Sequence, residues 1–470
     1  MKTRLLTLIL ALSCFLTYAQ TTSVPDANFE NYLETHNASG IVVSVGDPSS
    51  MGDGTNGNGL VTTSKISGVT TLVVNSLGIS DLTGIEDFIA LEWLECRSNQ
   101  ISGTLDLTNN LSLEVLNCRL NMINSLLLPN TISLYSINCT NNQLTSLDIS
   151  NNTDLQSLVC GNNQISSINL TNHPNLLFLS VNNNNLMNLD VSSNTSLIDL
   201  RCWENQISTL DISNLFNLQI LYAGDNLLSG LNLDNNSQLD QLEIYSNNLT
   251  SLDASNCTNL TYFDCTNNPS LSSLTLPNTT TLVTLWACCN NLSSLDYANN
   301  TGLEYFDIGI NNFTSADVSM LPNLLEFYCN QNQLTSLNLK NGANGSLDWM
   351  WAQDNSSLTC IQVDDVAQAN AKANWSKDVG ASYNTTCALG IEELNTDEVL
   401  IFPNPTKDKI NVNLKVDASY SLTNLFGQEV NKGAFVSGNN DLDIQSLSNG
   451  LYFLNIESPE GKATKKLIKE

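Results

Sequence analysis

Apolar residues recur along most of this chain in one motif, apolar-x-x-apolar-x-apolar, with Asn three residues further on. Leu134-x-x-Ile137-x-Cys139-x-x-Asn142-x-Leu144 is followed by Leu155-x-x-Leu158-x-Cys160-x-x-Asn163-x-Ile165. The frame returns every 21 residues at Leu176, Leu197, Leu218, Leu239 and Leu260, then at Leu282, Leu303, Leu324 and Leu347. Upstream it recurs at Leu113, Leu91 and, more weakly, Val69, which makes 14 repeats. Alternation of apolar positions predicts a short strand with one buried face. The following Asn (Asn99, Asn121, Asn142, Asn163 and onward) ends the strand, and stacked copies predict an amide ladder. The second half of each unit, as in Leu147-Asp148-Ile149-Ser150-Asn151-Asn152, returns along a convex side. One unit cannot bury its own apolar face, so the units must stack. Strands ~4.8 Å apart give a stack roughly 65 Å long.

This pattern resembles the bacterial leucine-rich-repeat family, and within it the 21-residue class with a cysteine ladder seen in internalin-type surface proteins. The resemblance covers about residues 60–360. The segment from Val24 to Leu33 looks like the N-terminal cap of secreted Bacteroidetes proteins; physically it reads as a short amphipathic helix over the first repeat. Gly54-Thr55-Asn56-Gly57-Asn58-Gly59 has the look of a decayed calcium loop, but Lys65 stands where a closing Glu should be. It reads as a polar turn.

Beyond a linker near Ala388–Val399 the texture changes. Ile410-Asn411-Val412-Asn413-Leu414 and Leu451-Tyr452-Phe453-Leu454-Asn455-Ile456 alternate as strands, punctuated by Gly427, Gly433, Gly438 and Gly450. The expected fold is therefore a leucine-rich-repeat solenoid, with a parallel β-sheet on its concave face, followed by a small antiparallel β-sandwich domain. The tail resembles the C-terminal sorting domain of type IX secretion substrates in Phe402-Pro403-Asn404-Pro405, Leu425–Val430, Leu447–Tyr452 and Lys465–Lys469. That resemblance implies export across the outer membrane by the type IX machinery. The expected divisions are a signal peptide over 1–19, a cap over 20–68, the solenoid over 69–358, a C-terminal cap and linker over 359–392, and the sorting domain over 393–470.

Lys2 and Arg4, an apolar run from Leu5 to about Leu16, and Ala19 describe a secretory signal cut after Ala19. Cys14 raises lipidation, but Ala11-Leu12-Ser13 fits a lipobox poorly. No other stretch is apolar and long enough to span a bilayer. The formal charge is −29, and residues 395–470 hold 8 Lys/Arg against 10 Asp/Glu, leaving 9 against 36 elsewhere. Such a field repels nucleic acid and anionic lipid.

Cys96, Cys118, Cys139, Cys160, Cys202, Cys265 and Cys329 share a slot that elsewhere holds Val74, Val181, Ala223, Ile244, Ala287 or Ile308. A slot open to Val and Ala is a core slot, so these thiols are expected to be buried and reduced. No metal or other cofactor is implied. Cys360 and Cys387 are the disulfide candidates; the spacing assigns no partner to Cys257, Cys288 or Cys289. With only His36 and His173, nucleophilic catalysis has little to draw on. A glycan hydrolase using concave carboxylates is the alternative to a binding protein.

Counting the first Leu as position one, positions three, five and seven face outward. They hold five of the six tryptophans, Trp93, Trp203, Trp286, Trp349 and Trp351, together with Tyr222, Tyr245, Tyr262, Tyr305 and Tyr328. Phe263, Phe306 and Phe327 take inward positions. Asp199, Glu243, Asp264, Asp307 and Glu326 share the outward face, with Arg97, Arg119 and Arg201 toward the N-terminal side. Amphipathic rings facing out suit recognition. The candidate ligand site is Trp203, Tyr222, Tyr245, Tyr262, Asp264, Trp286, Tyr305, Asp307, Tyr328, Trp349 and Trp351, for an extracellular glycan or protein.

Overall fold

In the computed structural model each motif forms a strand of three residues, or four at Trp349–Ala352, whose second side chain points inward. In Ser157–Val159, Leu158 is fully buried between two half-exposed neighbours. The strands form one parallel sheet of 15, its order following the chain from Thr71–Val73 onward. Equivalent motif positions pair in register: Phe178, Leu179 and Ser180 lie opposite Asp199, Leu200 and Arg201. The described residues are 20–387, 399–458 and 461–470. The expected signal peptide over 1–19 and the linker residues 388–398 lie outside them. The chain forms two compact units, Met1–Thr359 with Val363–Tyr383, and Cys360–Gln362 with Asn384–Glu470.

The sheet has one strand more than the 14 repeats legible as motif. Trp375–Lys377 carries no L-x-x-L pattern, yet Met350 pairs with Trp375 in the same parallel sense. Trp375 is 9% exposed, and its indole N–H donates to the Leu347 carbonyl at 3.0 Å. This ring lies in the last turn of the core, where an open repeat would otherwise expose its apolar edge.

Position eight of every repeat carries the turn. All 14 described non-glycine residues with positive φ sit there, from Ser76 to Asp354, at φ between 48° and 62°. The left-handed conformation is costly for residues with a Cβ, and the Asn that follows helps hold it. Asn142 Nδ2 donates to the Cys139 carbonyl at 3.0 Å and to Cys118 of the preceding repeat at 3.1 Å. Its Oδ1 accepts from Ile123 N at 3.0 Å. Copies such as Asn163 and Asn184 repeat these bonds, so each turn is tied to the one before it.

A second ladder runs along the convex side through Asn152, Asn194 and Asn236, all buried. His173 takes this slot, 1% exposed, its Nε2 3.1 Å from the Ile149 carbonyl. Leu215, Cys257 and Leu321 fill it in other repeats and are also buried. This gives Cys257 a structural place that its spacing did not suggest.

At the N-terminal end, Asp26 caps the helix Ala27–Thr35 and accepts from Ser80 N and Oγ in the first repeat. Phe29 packs on Phe88 with ring centroids 6.3 Å apart. The glycine-rich loop is held by this helix. Gly57, Asn58 and Gly59 donate backbone N–H to buried Glu30, and Asp53 and Gly54 to buried Glu34. Its amides are thus spent on carboxylates, as a structural turn requires.

In the second unit, residues 399–470 form two antiparallel sheets, one of three strands and one of four. Ile410, Val412, Leu422, Phe435, Leu454, Ile456 and Leu467 meet between them as a buried core. The alternating runs of the tail are the strands Lys409–Leu414 and Gly450–Ser458.

Candidate functional site on the concave sheet

The parallel register sorts the outward residues into rows. Position five reads Arg201, Tyr222, Glu243, Asp264, Trp286, Asp307, Tyr328 and Trp351 on successive neighbouring strands. Position three beside it reads Asp199, Ile220, Gln241, Tyr262, Thr284, Tyr305, Glu326 and Trp349. Adjacent strands are ~4.8 Å apart, so aromatic and acidic side chains interleave at contact spacing.

Five of the candidate rings form one connected strip. Tyr305 and Trp286 have centroids 6.4 Å apart, Trp286 and Tyr328 6.3 Å, Tyr328 and Trp351 4.8 Å, and Trp351 and Trp349 6.5 Å. Tyr262 stands beside the strip, on the strand paired with that of Trp286. Only Trp286 and Tyr328 approach parallel, at 22°; the other pairs are inclined by 52° to 75°. Trp349 and Trp351 are each 40% exposed. Trp203 and Tyr222 form a separate pair at 6.1 Å.

Tyr245 stands apart from both groups, and its ring is accommodated by Gly224 of the preceding repeat. Gly161 and Gly309, also at position seven, are overlain in the same way by Asn182 and Asn330. The face leans by one repeat, so a missing side chain is filled from the next strand. A glycine in a slot that usually bears a side chain was the signal for this.

Arg201 is engaged by its own face. Its Nε and Nη2 each donate to Asp199 at 2.9 Å, and its guanidinium lies 5.3 Å from the Phe178 ring and 5.2 Å from that of Tyr222. Beyond it the acids are less well compensated. Burial raises Glu243, with neighbouring Asp264 adding to the effect and Arg201 partly offsetting it. Burial likewise raises Asp264, and pushes Asp307 up to about 6. Asp264 accepts from Thr266 N at 2.9 Å and Asp307 from Gly309 N at 2.7 Å. Burial also lifts the Tyr245 and Tyr262 hydroxyls to about 12, so both stay protonated as donors at neutral pH.

The repeat cysteines Cys96, Cys118, Cys139, Cys160, Cys202, Cys265 and Cys329 are free and fully buried. Cys288 and Cys289 are half-exposed at the end of the Trp286 strand, their sulfurs 2.8 Å apart. Cys360 and Cys387 are joined by a disulfide with Cα atoms 5.8 Å apart. Among the described residues no group of three or more His, Cys, Asp or Glu is placed to hold a metal ion, and no helix is long and apolar enough to cross a membrane.

Two solved structures from Listeria monocytogenes share this architecture. The functional domain of InlJ, which includes a cysteine ladder, superposes with a TM-score of 0.51 at 22% identity, covering 96% of this chain and 99% of that one. The internalin InlF superposes with a TM-score of 0.52 at 20% identity, covering 77% of this chain and 98% of that one. The repeat unit is a leucine-rich-repeat solenoid. Residues 400–470 match the family model described as the secretion system C-terminal sorting domain. The tail is thus a sorting domain of the type IX kind. No curated protein matches the chain. The leucine-rich-repeat sheet presents the candidate residues in three groups: the strip from Tyr262 through Trp351, the Trp203–Tyr222 pair beside Arg201, and Tyr245 over Gly224.

Proposed function

We propose that this chain is a secreted or cell-surface binding protein that is not an enzyme. Its leucine-rich-repeat solenoid holds an extracellular glycan or protein ligand on the C-terminal half of the concave face. The type IX sorting domain carries it across the outer membrane. The observation that supports the site is the strip of connected, partly exposed rings at Tyr305, Trp286, Tyr328, Trp351 and Trp349. Rings of this kind are the usual anchors of an interface, because they bury large area at small entropic cost. The acids beside them lie on a broad open sheet rather than in a closed cleft, which suits recognition better than glycan hydrolysis.

The test is a glycan and protein array probed with the mature chain and its variants. Trp286→Ala and Trp351→Ala are expected to weaken ligand retention at least tenfold with thermal stability nearly unchanged, and Trp93→Ala to matter less. Dominance of Trp93, or losses that track unfolding, would sink the assignment. Deleting residues 393–470 is expected to leave the solenoid in the periplasm; arrival of the truncated chain outside the cell would refute the export role.

A further inference from the structure

Between Arg201 and Lys340 lie 138 residues with 13 Asp/Glu and not one Lys, Arg or His. This stretch supplies six successive strands of the concave sheet, from Ile220–Tyr222 to Glu326–Tyr328. Elsewhere on the solenoid three acids have local cations: Asp199 holds Arg201, Glu95 lies 3.8 Å from Arg97, and Asp348 lies 3.9 Å from Lys372. Among the described residues no such pair reaches Glu243, Asp264 or Asp307. Glu243 and Asp264 are also direct register neighbours, so like charges stand side by side on the sheet. In the row they share, Trp286 stands between Asp264 and Asp307, and Tyr328 follows Asp307.

We infer that the occupant of this face is an extended polypeptide segment bearing Lys or Arg side chains. This rests on the binding reading above and narrows it to one ligand chemistry. A Lys or Arg stem is apolar and lies along a ring, while its charged end reaches a carboxylate; the alternation of rings and acids offers both within one side chain's length. An incoming cation also relieves the repulsion between Glu243 and Asp264, which nothing in the free chain does fully. An extended peptide of polyproline II type turns every third side chain to one face, ~9 Å apart, close to the ~10 Å two-strand interval from Asp264 to Asp307. A sugar chain stacked flat would want parallel rings, and three of the four ring pairs in the strip are inclined by 52° or more.

The experiment measures fluorescence anisotropy of a labelled dodecapeptide of four Lys-Gly-Gly repeats with the full mature chain. Two double variants remove the same charge: Asp264→Asn with Asp307→Asn on the concave face, and Asp211→Asn with Asp253→Asn on the convex turns. Asn can preserve the turn bonds to Ser213 and Ser255. Binding that falls with salt, weakens at least tenfold in the concave double variant and less than twofold in the convex one is the expected result. Equal loss in both would reduce the effect to general acidity and overturn the inference. Failure of the peptide to bind at low salt would overturn it too. If a neutral oligosaccharide then binds and loses affinity in Trp286→Ala, the concave site stands and only its cationic occupant falls. If the peptide binds but Trp286→Ala and the concave double variant leave it unchanged, both readings fall.

Discussion

The ring of Tyr245 occupies the space where a side chain at Gly224 would be: a Cβ built there would lie 2.5 Å from Tyr245 Cε1 and Cζ. Gly224→Ala must therefore push the ring off its rotamer or shift the strand, at a cost of ~1 kcal/mol. In a Tyr245→Ala background the same change should cost nothing, which gives a coupling of similar size. Urea denaturation of the four proteins in this cycle checks it. Additive effects would mean that the ring does not rest on Gly224.

Ile310 adopts φ 52° at position eight and is 43% exposed. A β-branched side chain is poorly suited to the left-handed region, whereas Asn, which fills this slot at 141, 162 and 183, tolerates it. Ile310→Asn is expected to stabilise the solenoid by about 1 kcal/mol. A lower thermal midpoint would contradict the strain argument.

The two Asn ladders should respond differently. Asn142 uses both its amide and its carbonyl, so Asn142→Ala leaves several buried backbone groups unpaired and should cost about 3 kcal/mol. Asn236 donates to the Ile212 and Leu215 carbonyls, but its Oδ1 has no partner, and Leu215 and Leu321 already occupy equivalent slots. Asn236→Leu is expected to cost less than half as much, because new apolar burial offsets the lost bonds. Comparable midpoints in urea for the two variants would show that the ladders carry equal weight.

Asp307 makes stability depend on pH. Cys288 and Tyr328 face it from the two neighbouring strands and Asp264 from two strands away, and its carboxyl is held up to about 6 chiefly by burial. Its folded pKa exceeds the unfolded value, so the folded chain binds more protons between about pH 4 and 6 and loses stability as pH rises through that window. Asp307→Asn keeps an acceptor for Gly309 N and should flatten this fall by about 1–2 kcal/mol, allowing for screening on an open face. Urea midpoints at pH 4.5 and 7 should draw the variant and the parent together at the acid end. A parent that gains stability from pH 4.5 to 7 relative to the variant would reverse the assignment.

The repeat frame is legible because it is local. A strand of three residues needs only Leu at fixed spacing, and a slot shared by Cys, Val and Ala declares itself buried without coordinates. Signals that depend on the next turn are different. Trp375 closes the last turn of the sheet with no motif of its own, because a final strand needs only a partner edge and an apolar ring. Arg201 counts as a free cation until folding shows Asp199 gripping it, although the two stand only two residues apart on one strand face. The sequence by itself determined the solenoid, its period, its direction of chain travel and which side chains turn outward, since each follows from periodicity within one repeat. Only the tertiary structure decided which of those side chains meet, how their rings incline and which acids lack a cation. Those outcomes depend on packing and charge between residues about 21 positions apart, where neighbouring strands lie only ~4.8 Å from one another.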